Sequence, residues 1–299
     1  MARPYIAGIA LILILLAACG SPPLGTIQTR RDTTGTTTDV PSAASTSAPG
    51  ETTSIPAAGD GELIIFAAAS LTGALREVGA TFEQAYPGTT ITFNFAGSQQ
   101  LAQQIAQGAP ADVFAPASTK QMDAVMESGR VKGGTSRVLA RNRLLAIYPE
   151  DNPAGLATLQ DLAKPGVKLV LAAKEVPAGQ YALHFLDKAT ADSAFGNSFR
   201  AHVLENVVSY EENVKAVLTK VTLGEADAGI VYASDIIGAT GTKVGVIEIP
   251  DELNTIAVYP IAPIKEAAHA ALAEEFVTYV LSPEGQGILV KYGFIVGRE

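Results

Sequence analysis

Between residues 63 and 115 the chain alternates two hydrophobic periods in strict order. Residues 63–66, 91–95 and 113–115 are short apolar, β-rich runs. Residues 71–86 and 101–107, which separate them, repeat apolar side chains at helical spacing. Strand, helix, strand, helix, strand is the order that builds a parallel sheet with helices on its faces. The pattern resumes further on, with strands expected at 143–148, 167–171, 228–232 and 256–262 and helices near 179–188, 213–224, 267–281 and 283–292. Residues 62–299 provide 238 residues, enough for two domains of ordinary size, and contain no short repeat. The expected fold class is α/β, as two α/β lobes with a cleft between them. Composition agrees: 47% of residues are hydrophobic, yet Trp is absent and aromatics reach 6%, so Ala, Val, Ile and Leu must build the core.

Charge and cysteine count remove whole classes of function. With 21 Lys+Arg against 30 Asp+Glu, the net charge of −9 gives no passive hold on nucleic acid, and no nucleic-acid partner is expected. One cysteine permits neither an intramolecular disulfide nor a Cys-based metal cluster. That cysteine follows Arg3 and a 13-residue uncharged run at 6–18, too short for the roughly 20 residues that span a bilayer and suited to a signal peptide over residues 1–18. The run ends Leu16-Ala17-Ala18-Cys19-Gly20, which resembles the lipobox of bacterial lipoproteins, where cleavage leaves a diacylglyceryl-modified cysteine at the N-terminus. An incidental cysteine near a cleavage site is the plainer alternative, but lipidation of Cys19 also accounts for the only cysteine in the chain. Residues 19–61 are rich in Thr, Ser, Pro and Gly and lack Phe and Tyr. Such a segment cannot bury enough apolar surface to offset its ordering entropy, and a flexible tether is expected, holding an exported body at the outer face of the cell membrane.

Four loops share one character. Ser70 follows the first strand and sits where a helix N-cap is expected; Gly97-Ser98 repeats the arrangement after the second. Val176-Pro177-Ala178-Gly179 and Glu212-Asn213-Val214 each open a helix without a hydroxyl, so backbone N–H would be the donor there. A helix start carries unpaired N–H groups that suit an anion, although any one such loop alone reads as an ordinary cap.

Taken together, these segments resemble the periplasmic molybdate-binding proteins, the substrate-binding components of molybdate ABC importers. The resemblance covers residues 62–294 and rests on Phe66-Ala67-Ala68-Ala69-Ser70-Leu71-Thr72, Phe95-Ala96-Gly97-Ser98-Gln99-Gln100-Leu101, Gly108-Ala109-Pro110-Ala111-Asp112-Val113-Phe114, Val176-Pro177-Ala178-Gly179-Gln180-Tyr181-Ala182, Ala228-Gly229-Ile230-Val231-Tyr232-Ala233-Ser234-Asp235 and Lys291-Tyr292-Gly293-Phe294, in one order at compatible spacings. It implies a type II periplasmic-binding-protein fold, with two crossover strands near 141–148 and before Ile256. Lobe I would be residues 62–141 and 255–299, and lobe II residues 142–254. It also implies an oxyanion site made of Ser70 and Ser98 (hydroxyl and N–H), Ala178 and Val214 (N–H) and Tyr232 (hydroxyl). The implied ligand is molybdate or tungstate, and the implied partners are a permease and its ATPase. A monomer without cofactor or cation site is expected, and no enzymatic activity. The second loop departs from the family in carrying Gln99-Gln100 where many members have smaller polar residues.

Three rival readings compete with this one. Another tetrahedral oxyanion (sulfate, thiosulfate or phosphate) would use the same scaffold. An exported Ser hydrolase would need Ser70 or Ser98 beside His184, His202 or His269, none of which lies in a recognisable motif. Cation capture would draw on Tyr181, Tyr232 and Tyr259, but no His and carboxylate cluster has ligand spacing. Asp112 and Asp235 are expected to bond loop amides rather than to do acid chemistry.

Overall fold

A computed structural model of the chain describes residues 61–237 and 243–297. The signal peptide, Cys19 and all but the last residue of the tether lie outside the described residues. Gly61 already opens the first strand.

The elements run β1 (Gly61–Ala68), α1 (Thr72–Ala85), β2 (Thr89–Ala96), α2 (Ser98–Ala106), β3 (Val113–Ala115), α3 (Thr119–Glu127), β4 (Arg137–Asn142), β5 (Leu144–Pro149), β6 (Leu169–Ala172), α4 (Pro177–Ala191), α5 (Phe199–Glu205), β7 (Val207–Glu211), α6 (Val214–Thr222), β8 (Ala228–Tyr232), α7 (Ala233–Ile237), β9 (Val244–Glu248), β10 (Ala257–Pro263), α8 (Ala270–Leu281) and α9 (Pro283–Lys291). Among the described residues the strands form two five-stranded sheets, β2-β1-β3-β10-β4 and β7-β6-β8-β5-β9. In the first, β1 runs parallel to β2 and β3, and β10 antiparallel to β3 and β4. In the second, β6 runs parallel to β7 and β8, and β5 antiparallel to β8 and β9. This is the two-lobed α/β arrangement expected from the sequence.

Aliphatic burial drives both lobes. α1 turns Ala74, Leu75, Val78 and Phe82 onto the first sheet, and α6 turns Val214, Val217, Leu218 and Val221 onto the second. One aromatic cluster lies where α1 meets α8: Phe82 stacks on Tyr86 and meets Phe276 and Tyr279 edge-on at 5.3 and 5.4 Å. Pro260 lies inside β10 although proline cannot donate to a ladder; the register slips between Tyr259 and Pro260 to accommodate it.

The chain crosses from the first sheet to the second between Asn142, the last residue of β4, and Leu144, the first of β5. It returns through residues 249–256. Asn254, only 3% exposed, pins these two passages together: its Oδ1 accepts from Leu144 N at 3.1 Å and its Nδ2 donates to Leu144 O at 2.9 Å and to Ile249 O at 3.1 Å. Arg143 adds an ion pair with Asp251 at 2.6 Å across the same junction. Asp112 and Asp235 bond backbone amides: Ile64 N donates to Asp112 at 2.8 Å and Tyr232 N to Asp235 at 3.1 Å.

Candidate functional site

β1, β2 and β8 end at Ala68, Ala96 and Tyr232, and helical turns start just beyond all three. In open α/β sheets the region outside the carboxyl ends of the strands is where ligands sit. Here residues from both sheets line a small cavity of about 10 Å³. Ser70, Ser98, Ala178, Val214 and Tyr232 all line it, together with Gly97, Ala117, Pro177 and Asn213. Ser70 and Ser98 come from the first sheet's side, and Ala178, Val214 and Tyr232 from the second's.

The serines are not helix caps, contrary to the sequence expectation. Ser70 lies inside a 3-10 turn, Ala69–Leu71, and α1 begins after it with Leu71 as its cap. Ser98 is the first residue of α2, capped by Gly97 without a side-chain bond. Both hydroxyls are engaged sideways instead. Ala117 N donates to Ser98 Oγ at 3.0 Å, and Ser70 Oγ lies 3.0 Å from the Tyr259 hydroxyl. A backbone N–H can only donate, so Ser98 Oγ accepts from Ala117 and keeps its own proton for the cavity.

The second-lobe helices present amides for equally local reasons. Pro177 occupies the first position of α4 and has no N–H, which makes Ala178 the first donor of that helix. On α6 the Asn213 side chain accepts from Ala216 N at 3.1 Å, satisfying the third amide and leaving those of Val214 and Lys215 without an intrahelical partner. These helix starts add partial positive charge where they converge.

Tyr232 is 1% exposed, and its Oη has no hydrogen-bond partner among the described residues. Burial holds its ionisation well above the ordinary tyrosine range, with the nearby Tyr259, Tyr181 and Asp235 acting in the same direction, so the phenol is a protonated donor. A buried hydroxyl without a partner costs on the order of 1–3 kcal/mol, and its place on the cavity wall marks where a ligand atom belongs. The nearby cation is already committed: Lys215 Nζ lies 3.0 Å from the fully buried Asp235, whose carboxyl is pushed up by burial while Lys215 opposes that shift. The polar side chains on the wall, Ser70, Ser98, Asn213 and Tyr232, are thus all uncharged.

Two glutamines join the lobes beside the cavity. Gln99 Nε2 donates to Glu212 O at 3.1 Å and Gln100 Nε2 to Glu212 Oε2 at 3.2 Å, both reaching from α2 to the loop before α6. Gly97 sits against the same carbonyl; a Cβ there would lie 2.4 Å from Glu212 O. Sequence reasoning missed Ala117, the Glu212 contact, and Tyr259 and Asn142 behind Ser70. Asn142 stands between Arg141 and Arg143, so nothing in the local sequence marked it as a buried residue.

Neither serine has a histidine as its hydrogen-bond partner; His184 and His202 are exposed and His269 is half-buried. Among the described residues no group of three or more His, Cys, Asp or Glu could hold a metal ion, and no helix is long and apolar enough to cross a membrane.

Comparison with known proteins agrees with this geometry. The molybdate-binding protein ModA of Mycobacterium tuberculosis H37Rv is 38% identical over 239 residues, covering 80% of this chain and 86% of that protein. ModA of Escherichia coli K12 is 31% identical over 245 residues, covering 80% and 91%. The solved periplasmic molybdate-binding protein of Azotobacter vinelandii superposes with a TM-score of 0.68 at 21% identity, over 79% of this chain and all of that one, and has the same fold. These relatives are solute-binding proteins, not enzymes, and so is this chain. The profile of bacterial extracellular solute-binding proteins matches residues 63–295, the whole folded body, and the chain belongs to that family.

Proposed function

We propose that the protein captures molybdate, and with it tungstate, outside the cell and delivers it to the permease and ATPase of an ABC importer. The observation that carries this reading is the cavity lined by hydroxyls and helix-start amides with no charged side chain, above all the buried Tyr232 hydroxyl that lacks a partner among the described residues. Ser70, Ser98, Ala178, Val214 and Tyr232 are its ligands. Molybdate at neutral pH is a dianion with four acceptor oxygens and no proton, so hydroxyls and amides satisfy it fully. Hydrogen phosphate brings a proton that meets no acceptor, at a cost on the order of 1.5–3 kcal/mol in a dry site. Helix starts and peptide dipoles take the place of a counter-ion, which fits a chain of net charge −9 whose cargo has to be released again. Two relatives named as molybdate-binding, at 38% and 31% identity, support the choice of anion.

Because the five donors come from both lobes, the anion stabilises the form in which they converge, and the permease reads that form. The protein acts as a monomer, exported by its leader and held at the membrane through lipidated Cys19. Calorimetry and thermal shift on the full chain with molybdate, tungstate, sulfate and phosphate test the assignment. Stabilisation by the first two and little by the others is expected. A sulfate shift equal to that of molybdate would overturn it in favour of a general tetrahedral-anion binder.

A further inference from the structure

We propose that Tyr259, held in turn by Asn142, is a positioning and specificity residue: it fixes the Ser70 hydroxyl as a donor toward the cavity and so sets the site against protonated oxyanions. The inference rests on the oxyanion reading above and assigns a role to two residues behind the cavity wall.

The donor count runs in one direction. Arg143 N lies 3.0 Å from the Asn142 side chain, and because a backbone N–H only donates, the atom it meets is Oδ1. The other atom of that amide is therefore Nδ2, which donates to Ser234 Oγ at 2.7 Å and, at 3.5 Å, toward Tyr259 Oη. Nδ2 cannot accept, so of the two side chains within hydrogen-bond distance of the Tyr259 hydroxyl, Asn142 and Ser70, the one able to take its proton is Ser70, with Oγ at 3.0 Å. Burial holds the Tyr259 phenol well above its usual ionisation range, and that proton stays in place. Asn142 and Tyr259 are both 0% exposed, so no water competes for these bonds. Ser70 cannot donate back along a line already occupied by a proton, and its own hydrogen turns to the cavity.

Without Tyr259 the Ser70 hydroxyl is free to rotate. A serine that rotates offers a lone pair to the cavity and accepts the proton of hydrogen phosphate. The orientation of one hydroxyl then separates a site that tolerates protonated anions from one that rejects them.

Tyr259→Phe removes one oxygen and keeps the ring against Tyr232 and Phe294, whose centroids lie 5.8 and 5.4 Å away, while Asn142 retains Ser234. Calorimetry on the full chain should show molybdate binding about tenfold weaker, and the molybdate to hydrogen phosphate affinity ratio about tenfold lower, with the cooperative melt retained. In a Ser70→Ala background the same substitution should move the ratio by less than about twofold, because Tyr259 acts through Ser70. An unchanged ratio in Tyr259→Phe, or an equal change in both backgrounds, would overturn the proposal. If the wild-type chain fails to bind molybdate at all, the oxyanion reading itself falls.

Discussion

Replacing Gly97 with alanine separates closure from folding. The backbone of Gly97 is at φ −61°, ψ 132°, a conformation open to any residue, so the variant should fold and melt like the parent without ligand. The added methyl would lie 2.4 Å from the Glu212 carbonyl oxygen and 2.5 and 2.7 Å from the Gln99 amide atoms. The glutamine can swing aside; the carbonyl belongs to the other lobe's backbone and cannot. Restoring an ordinary contact of 3.4 Å requires the two loops to part by about 1 Å at that point. A hydrogen bond stretched by that amount is largely lost. The second lobe brings the Ala178 and Val214 amides and the Tyr232 hydroxyl. Losing two of these three bonds to a charged ligand, at roughly 1.5–3 kcal/mol each, weakens binding by about 3–6 kcal/mol, or about a hundredfold to ten-thousandfold in Kd. Calorimetry with molybdate, alongside melts with and without it, reads both quantities. Wild-type affinity in Gly97→Ala would refute the premise that the anion is bound with the α2 start pressed against Glu212.

Ser70→Ala and Ser98→Ala should each weaken molybdate by roughly 1.5–3 kcal/mol in calorimetry with the fold intact. Tyr232→Phe should weaken binding while leaving the unliganded protein as stable as the parent or more so, because it deletes a buried hydroxyl that has no partner; a lower melting temperature without ligand would contradict that account. Cys19→Ala should release the protein from membranes in a fractionation assay without altering affinity. Acid should remove a local staple: the Asp161 carboxylate accepts from Ala157 N and Thr158 N at 2.7 and 2.9 Å, and these bonds hold its pKa at about 2, below the ordinary 3.8. A depressed carboxyl stabilises above its unfolded pKa, so that contribution is complete above about pH 4 and lost as pH falls toward 2; Asp161→Asn should flatten the pH dependence of the melt in that window.

The strands legible in the sequence were the central ones together with one edge, β2, whose Ile91, Phe93 and Phe95 alternate with Thr92 and Asn94 at a clean period of two. β1, β3, β6 and β8 are buried on both faces and read as continuous apolar runs. β4, β7 and β9 went unread, and all three are sheet edges. There one face is solvated, with Val208 and Tyr210 60% and 55% exposed on β7, so residues such as Val207-Val208-Ser209-Tyr210-Glu211 carry no clean signal of either period. The motifs that carry the five site residues could be quoted from the chain, and the structure brings all five to one cavity, at strand ends and helix starts. What the sequence could not give was the direction of each hydroxyl. That direction depends on partners 19 and 189 residues away, Ala117 for Ser98 and Tyr259 for Ser70, which only the sheet order brings alongside.

Asn254 gives the junction between the lobes a mechanical character of its own. By offering one acceptor and one donor to the N–H and C=O of Leu144, its side-chain amide imitates a peptide unit in a neighbouring strand, and two separate passages of chain behave as a single knuckle. Neither passage can shift without disturbing the other, because both are fastened to the same buried amide. Removing that amide would leave the N–H and C=O of Leu144 without their partner, so the crossing from one sheet to the other is guarded by a single side chain.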